Sequence, residues 1–147
     1  MTRVKHRPND NNLGTWVNTI FSIMTLGMIQ DRKTSKRPFI QVRANGSDSP
    51  WLFDTGAEVC CMNVNEFRRI HVDNRPQKIQ VFQDLRCASK NKLNVKGTYL
   101  MNLEILGRKI QQVVFVCKNL GQSAILGIDA IEKLGLVYSA RSKKIFL

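Results

Sequence analysis

From residue 39 onward, apolar and polar positions alternate in short runs separated by turn residues. Phe39-Ile40-Gln41-Val42-Arg43 has the two-residue period of a half-buried strand. Asn45-Gly46 follows, a pair that tolerates positive φ at both positions and so favours a tight turn. Trp51-Leu52-Phe53 resumes the apolar run, so 39–53 is read as a hairpin with a slightly long loop around Ser47–Pro50. Lys78–Asp84 alternates again, and Leu93–Val95 and Thr98–Leu106 are read as strands broken at Gly97. Lys109–Cys117 forms a further strand. Two more hairpins are expected, one turning near Ser89–Asn91 and one near Gly107-Arg108. One helix is expected, with Asp129 as its cap, Ala130, Ile131 and Leu134 on one face, and Gly135 ending it. The last strands are Leu136–Tyr138 and Lys144–Leu147. Short strands divided by turn residues predict a mainly β barrel or sandwich.

The N-terminal part breaks this pattern. Residues 11–30 carry no charged side chain, and Leu13 to Ile29 is apolar apart from Thr15, Asn18, Thr19, Ser22 and Thr25. That length sits at the lower limit for spanning a bilayer. The basic start (Arg3, Lys5, Arg7) resembles that of a signal peptide or anchor, but no small-x-small cleavage site follows. Membrane contact through 13–29, an amphipathic helix packed on the domain, and a fragment of upstream polyprotein stay open as readings. Arg32, Lys33, Lys36, Arg37 and Pro38 form a polar break, read as the boundary between an extension over 1–36 and a folded domain over 37–147.

With 147 residues there is room for one ordinary domain, and 43% apolar against 23% charged excludes wholesale disorder and collagen-like structure. Lys and Arg number 23 against 11 acids, a net +12. The excess is spread out: residues 1–37 hold seven basic and two acidic side chains, and residues 38–147 hold sixteen and nine. RNA or an anionic membrane would be attracted to such a surface. No aromatic-rich RNA motif or Cys/His knuckle accompanies the charge, so a nucleic-acid partner is open but not favoured over a plain solvated surface. The four cysteines include no CxxC pair, so no metal or other cofactor is expected, and all four are read as reduced thiols in a reducing compartment. His6 and His71 have no partner nearby in sequence, and no nucleophile elbow, P-loop or HExxH occurs.

Two segments carry candidate chemistry. In Trp51-Leu52-Phe53-Asp54-Thr55-Gly56-Ala57 an apolar strand delivers a carboxylate into a tight turn, where Gly56 permits close backbone approach and Ala57 leaves room beside the acid. The plain alternative is an Asx-type turn in which Asp54 bonds local amides. In Ala124-Ile125-Leu126-Gly127-Ile128-Asp129 a strand stops at Gly127, 73 residues beyond Asp54, and a helix begins. Its plain alternative is an ordinary strand-to-helix turn. Their order and spacing together are far more specific than either alone.

Leu52-Phe53-Asp54-Thr55-Gly56-Ala57 with Ile125-Leu126-Gly127 resembles the retroviral-type (retropepsin) aspartic proteases of retroviruses, retrotransposons and their domesticated relatives. The stretch Leu85 to Gly97 is similar, more loosely, to the flap hairpin of the retrotransposon branch. The resemblance covers residues 37 to 147. It implies a small closed β-barrel with one short C-terminal helix, working as a homodimer in which each subunit gives one Asp-Thr-Gly. The chain contains no second Asp-Thr-Gly or Asp-Ser-Gly, so one copy holds half a site. The implied activity is cleavage of polypeptides, in a retroelement polyprotein, in the cytoplasm or within virus-like particles. Asp54, Thr55 and Gly56 are the implied catalytic turn, with Thr55 locking the two loops together. Ala57, Glu58, Ala88, Ser89, Lys90 and Ile125 are the candidate substrate contacts, and Leu52, Val59 and Val95 further candidates for apolar pockets. Ile145 to Leu147 are the expected dimer contact, or alternatively a strand completing the subunit's own barrel.

This chain departs from the family pattern in places. The flap tip holds Ala88, Ser89, Lys90 and Asn91 where glycine is common, so Lys90 or Lys92 is expected to favour acidic substrate flanks. Glu58 stands where Asp or Asn is common. A retropepsin-like dimer that binds peptide or assembles without catalysis is the alternative function.

Overall fold

The computed structural model describes residues 37–81, 85 and 92–147. Its strands are β1 (Phe39–Ala44), β2 (Ser47–Phe53), β3 (Cys60–Asn63), β4 (Gln77–Ile79), β5 (Val95–Ile105), β6 (Arg108–Cys117), β7 (Ala124–Leu126), β8 (Val137–Ser139) and β9 (Lys144–Phe146). Among the described residues are two short α-helices, α1 (Val64–Arg68) and α2 (Ile128–Leu134), and one 3-10 turn at Val72–Asn74.

Seven strands form one sheet in the order β1-β2-β7-β3-β6-β5-β4, and a second pairing of β1 with β5 closes six of them into a barrel with β4 as an outer flank. The expected closed, mainly β barrel is therefore present. Among the described residues β8 and β9 pair with each other, in a separate two-stranded sheet.

Sequence alternation explains which strands lie deepest. In β1, Ile40, Val42 and Ala44 face the core while Phe39, Gln41 and Arg43 face out. In β3, β7 and the second halves of β2 and β6 both faces are buried. Trp51, Phe53, Cys60, Met62, Val114, Val116, Ala124 and Leu126 join one apolar cluster, and Leu52, Cys61, Phe115, Cys117 and Ile125 join a second with Ala57 and Leu85. The parallel pairs β2–β7 and β3–β6 sit in this doubly covered region, as parallel strands generally do.

Several expectations need correction. Asn45-Gly46 makes a two-residue turn with φ of 45° and 84°, and Ser47–Pro50 is not a loop but the first half of β2. Pro50 is tolerated because it lies opposite Gln41 where only β1 covers β2, so its missing N–H costs no ladder bond on the far side. Gly97 does not break a strand: β5 runs through it with a bulge between Val95 and Gly97. The β5–β6 hairpin turns on Leu106-Gly107, one residue earlier than expected. The strand expected over Lys78–Asp84 begins at Gln77 and ends at Ile79, with 82–84 outside the described residues.

The expected C-terminal helix is present as α2, and among the described residues a further short helix, α1, was not expected. α1 starts at Asn63, whose side chain accepts the Asn65 N–H at 2.9 Å, with Glu66 three residues on. Asp129 does not cap α2, since Gly127 holds the N-cap position and Asp129 lies inside the first turn. Gly135 does end α2, in the left-handed conformation. The extension 1–36 and the hairpin near Ser89–Asn91 lie outside the described residues. Among those described, no helix is long and apolar enough to cross a membrane.

Candidate active site

β2 ends beside β7, with Leu52 opposite Ile125 and Phe53 opposite Leu126. The chain then leaves the sheet, still tied to β7 by the Asp54 N–H on Leu126 O at 3.1 Å. Thr55-Gly56 turn it back, with the Gly56 N–H on Asp54 Oδ1 at 2.9 Å and the Ala57 N–H on Asp54 O at 3.2 Å. Ala57 O in turn accepts the Ile128 N–H at the start of α2. Between these two tethers lies Gly127. A Cβ there would fall on the Val59 carbonyl and 2.9 Å from Ala57 O, so only glycine lets the β7–α2 junction pass this close to the Asp54 loop. The two sequence segments are thus one structural unit.

Asp54 is only 4% exposed. Its Oδ1 makes the Asx turn considered from sequence, but Oδ2 is buried with no hydrogen-bond partner among the described residues. Burial pushes the carboxyl up to about 6, against the pull of the Gly56 and Ala57 N–H groups. A carboxylic acid poised there exchanges protons readily in mildly acidic to neutral solution, as acid–base chemistry requires. A buried oxygen without a partner is costly, and such groups mark places where something else is to be bound.

Around this turn, Thr55 is exposed, Gly56, Glu58 and Val59 are half-buried, and Ala57 is buried. Leu52 and Ile125 are buried beneath the loop in the same cluster as Ala57, with Val59 and Val95 packed against it. Leu85 and Leu93, the inner ends of the flap-like stretch, are joined by the Leu93 N–H on Leu85 O at 2.7 Å. Ala88, Ser89 and Lys90 lie outside the described residues. Phe53, next to Asp54, packs on Tyr138 of β8 with ring centroids 6.1 Å apart. The β8–β9 sheet therefore sits close to the end of the carboxylate's strand, and its Val137, Phe146 and neighbouring Leu147 are about half exposed.

Sequence reasoning missed the role of a half-buried carboxylate beside the loop, Asp129, which contacts Cys60 and Gln112. The apolar context of Cys60 and the alternating position of Gln112 on β6 hinted at burial, but nothing linear joins three residues so far apart. Cys60, Cys61 and Cys117 are reduced and buried. Among the described residues no cluster of metal-ligating side chains occurs.

A groove of about 740 Å³ lies elsewhere, lined by Arg43, Asn45, Asp73, Arg75, Glu104 and Lys109 among others. Much of its polarity is already committed: Arg43 pairs with Asp48, Arg75 donates to Ile70 O, and Asn45 donates to Asn74 O. It contains no residue of the Asp54 or Gly127 segments.

A sequence search of curated proteins finds no match. Among solved structures, the EIAV protease in complex with the inhibitor HBY-793 aligns with a TM-score of 0.59 at 23% identity, covering 70% of this chain and 92% of that one. The retroviral protease-like domain of Ddi1 from Leishmania major aligns with a TM-score of 0.58 at 12% identity, covering 78% and 90%. Both share the barrel just described. The family described as "gag-polyprotein putative aspartyl protease" matches residues 40–133, a span that holds both the Asp54 turn and the Gly127 junction. Fold and family match agree, and the chain belongs to this family of retropepsin-type aspartic proteases.

Proposed function

We propose that the protein is an aspartic endopeptidase that works as a homodimer, each copy contributing one Asp54-Thr55-Gly56, and that it cleaves peptide bonds within a retroelement polyprotein. The observation that carries this reading is the state of Asp54: buried, raised to about 6, and with Oδ2 lacking any partner among the described residues. One carboxyl is half of an acid–base pair. A second copy related by a two-fold axis supplies the other half at the least structural cost.

With two carboxyls close together, the pair shares one proton, a coupling known from aspartic proteases as a class. The ionised Asp54 takes a proton from a bound water, which attacks the peptide carbonyl. The protonated Asp54 of the second copy hydrogen-bonds the carbonyl oxygen as charge develops on it. Thr55, exposed in the single protomer, is free to bond across the dyad. Gly56 and Glu58 border the path of the substrate backbone, and Ala57 and Ile125 shape its floor from beneath; Ala88, Ser89 and Lys90 are further substrate contacts that the family resemblance implies. The half-exposed apolar side chains of Val137, Phe146 and Leu147, close to Phe53, support the β8–β9 sheet as the contact between copies.

The test is incubation of the purified protein with polyprotein-like peptides near pH 5, with and without a pepstatin-type inhibitor, beside Asp54→Asn. Inhibitor-sensitive cleavage that disappears in the variant supports the proposal. No cleavage across pH 4–7 by a protein shown to be dimeric, or cleavage that survives Asp54→Asn, overturns it.

A further inference from the structure

The Asp54 loop, β3, β6 and α2 meet at a partly buried polar cluster that the peptide chemistry above does not use. Cys60 on β3 is fully buried. Its Sγ accepts the Gly127 N–H at 3.4 Å and donates to Asp129 Oδ1 at 3.3 Å. Oδ1 also accepts the Ala130 N–H at 2.8 Å, and Oδ2 accepts from Gln112 Nε2 at 2.6 Å. Gln112 Oε1 accepts from Lys133 Nζ at 3.0 Å, and the same ammonium donates to Gln111 O at 3.1 Å. Burial and the adjacent Asp129 carboxylate push the Cys60 thiol well up, so it keeps the proton it donates.

This cluster ends on the one residue wedged against the catalytic loop. Gly127 lies against the Ala57 and Val59 carbonyls. On either side of it, Leu126 O holds the Asp54 N–H and the Ile128 N–H holds Ala57 O. A shift of the Gly127 peptide therefore moves both tethers of the loop that presents the carboxylate. A cysteine serving only as a small apolar filler would need neither an N–H aimed at its sulfur nor a carboxylate beside it.

We propose that Cys60 and Asp129 are positioning residues for Asp54: by hydrogen bonding they fix the Gly127 junction, and through it the catalytic loop, without touching substrate. The activity readout of this proposal rests on the peptidase reading; its structural readout does not.

The experiment compares Cys60→Ser with Cys60→Val in the 147-residue chain. Serine keeps one donor and one acceptor at the position, and valine fills similar space with neither. Serine is expected to hold kcat within about threefold of the parent, while valine lowers it about tenfold or more with KM little changed, as loosened alignment does. The valine variant is expected to melt no lower than the serine variant, so stability does not account for the loss. Amide hydrogen exchange provides the second readout. Valine is expected to speed exchange at Asp54 and Ile128 and leave the β5–β6 amides unchanged. Should the valine variant fail to fold, Cys60→Ala takes its place with the same expectations. Equal kcat in the two variants, with equal protection at Asp54 and Ile128, overturns the proposal and leaves Cys60 a packing residue. If the parent protein shows no Asp54-dependent cleavage, the peptidase reading fails, and the exchange comparison alone decides the positioning role.

Discussion

Asp54, buried, and Asp129, half-buried, are carboxylates on neighbouring segments, and desolvation raises both. They differ in what surrounds their oxygens. Both oxygens of Asp129 are bonded, to Ala130 N–H, Cys60 Sγ and Gln112 Nε2, and Lys133 acts on it from one turn along the helix. Asp54 has one oxygen bonded and one buried without a partner among the described residues. A fully bonded acid is a structural joint, because moving it breaks several contacts at once. An acid with a vacant, desolvated oxygen holds free energy in reserve for whatever binds there. Asp54, at 4% exposed and with one oxygen unpartnered among the described residues, fits the proposed chemistry, and half-buried Asp129 with both oxygens bonded does not.

The sharpest way to break this comparison is to neutralise each acid in turn. Asp54→Asn is expected to lower peptide cleavage about 10³-fold while the protein remains folded. Asp129→Asn is expected to retain far more activity and to lose thermal stability instead, since Asn turns an amide toward Gln112 Nε2. Peptide kinetics and calorimetry on the two variants check both halves. Equal activity losses would erase the distinction.

The second measurement is the pH dependence of stability. A carboxyl raised from 3.8 to about 6 binds its proton more tightly in the folded than in the unfolded chain. Its contribution is therefore fully present below pH 3.8 and is lost as pH rises through about 6. For the protomer this amounts to about 3 kcal/mol. Urea unfolding at pH 4 and pH 7 is expected to show a larger fall with rising pH for the parent than for Asp54→Asn. Identical pH profiles would show that Asp54 titrates normally.

The third targets the residue that joins the two acids. Gly127→Ala pushes a methyl group into the Val59 and Ala57 carbonyls and is expected to cost about 2 kcal/mol, read as a lowered denaturation midpoint. The smallest effect belongs to an acid in water. Asp48, paired with Arg43 on the exposed surface, is expected to leave the melting temperature unchanged within error on substitution by Asn, and to do so more clearly at high salt.

Much of the fold was legible because local chemistry and tertiary structure agree. Asn45-Gly46 turns where its φ preference says it must, and β1 follows its alternating pattern. Pro50 and Gly97 misled because their local meaning, turn and break, is overridden by an open strand flank and a bulge. The Asn63-x-x-Glu66 signature of α1 was present but short, and a five-residue helix shows little periodicity. Asp54-Thr55-Gly56 stood out because a carboxylate after three apolar residues is unusual in any context. The role of Asp129 did not, because its partners Cys60 and Gln112 lie 69 and 17 residues away and are brought to it only by closure of the barrel.

The parallel pairing of β2 with β7 has a temporal consequence. Leu52 meets Ile125, so the sheet edge that shelters Asp54 is contributed by a segment made much later. A nascent chain emerging from the ribosome lacks that edge for on the order of 4–15 s, the time needed to synthesise the intervening stretch. During this interval Asp54 lacks its bond to Leu126 O, so on the proposed peptidase reading the turn that presents it is complete only after translation has passed Leu126.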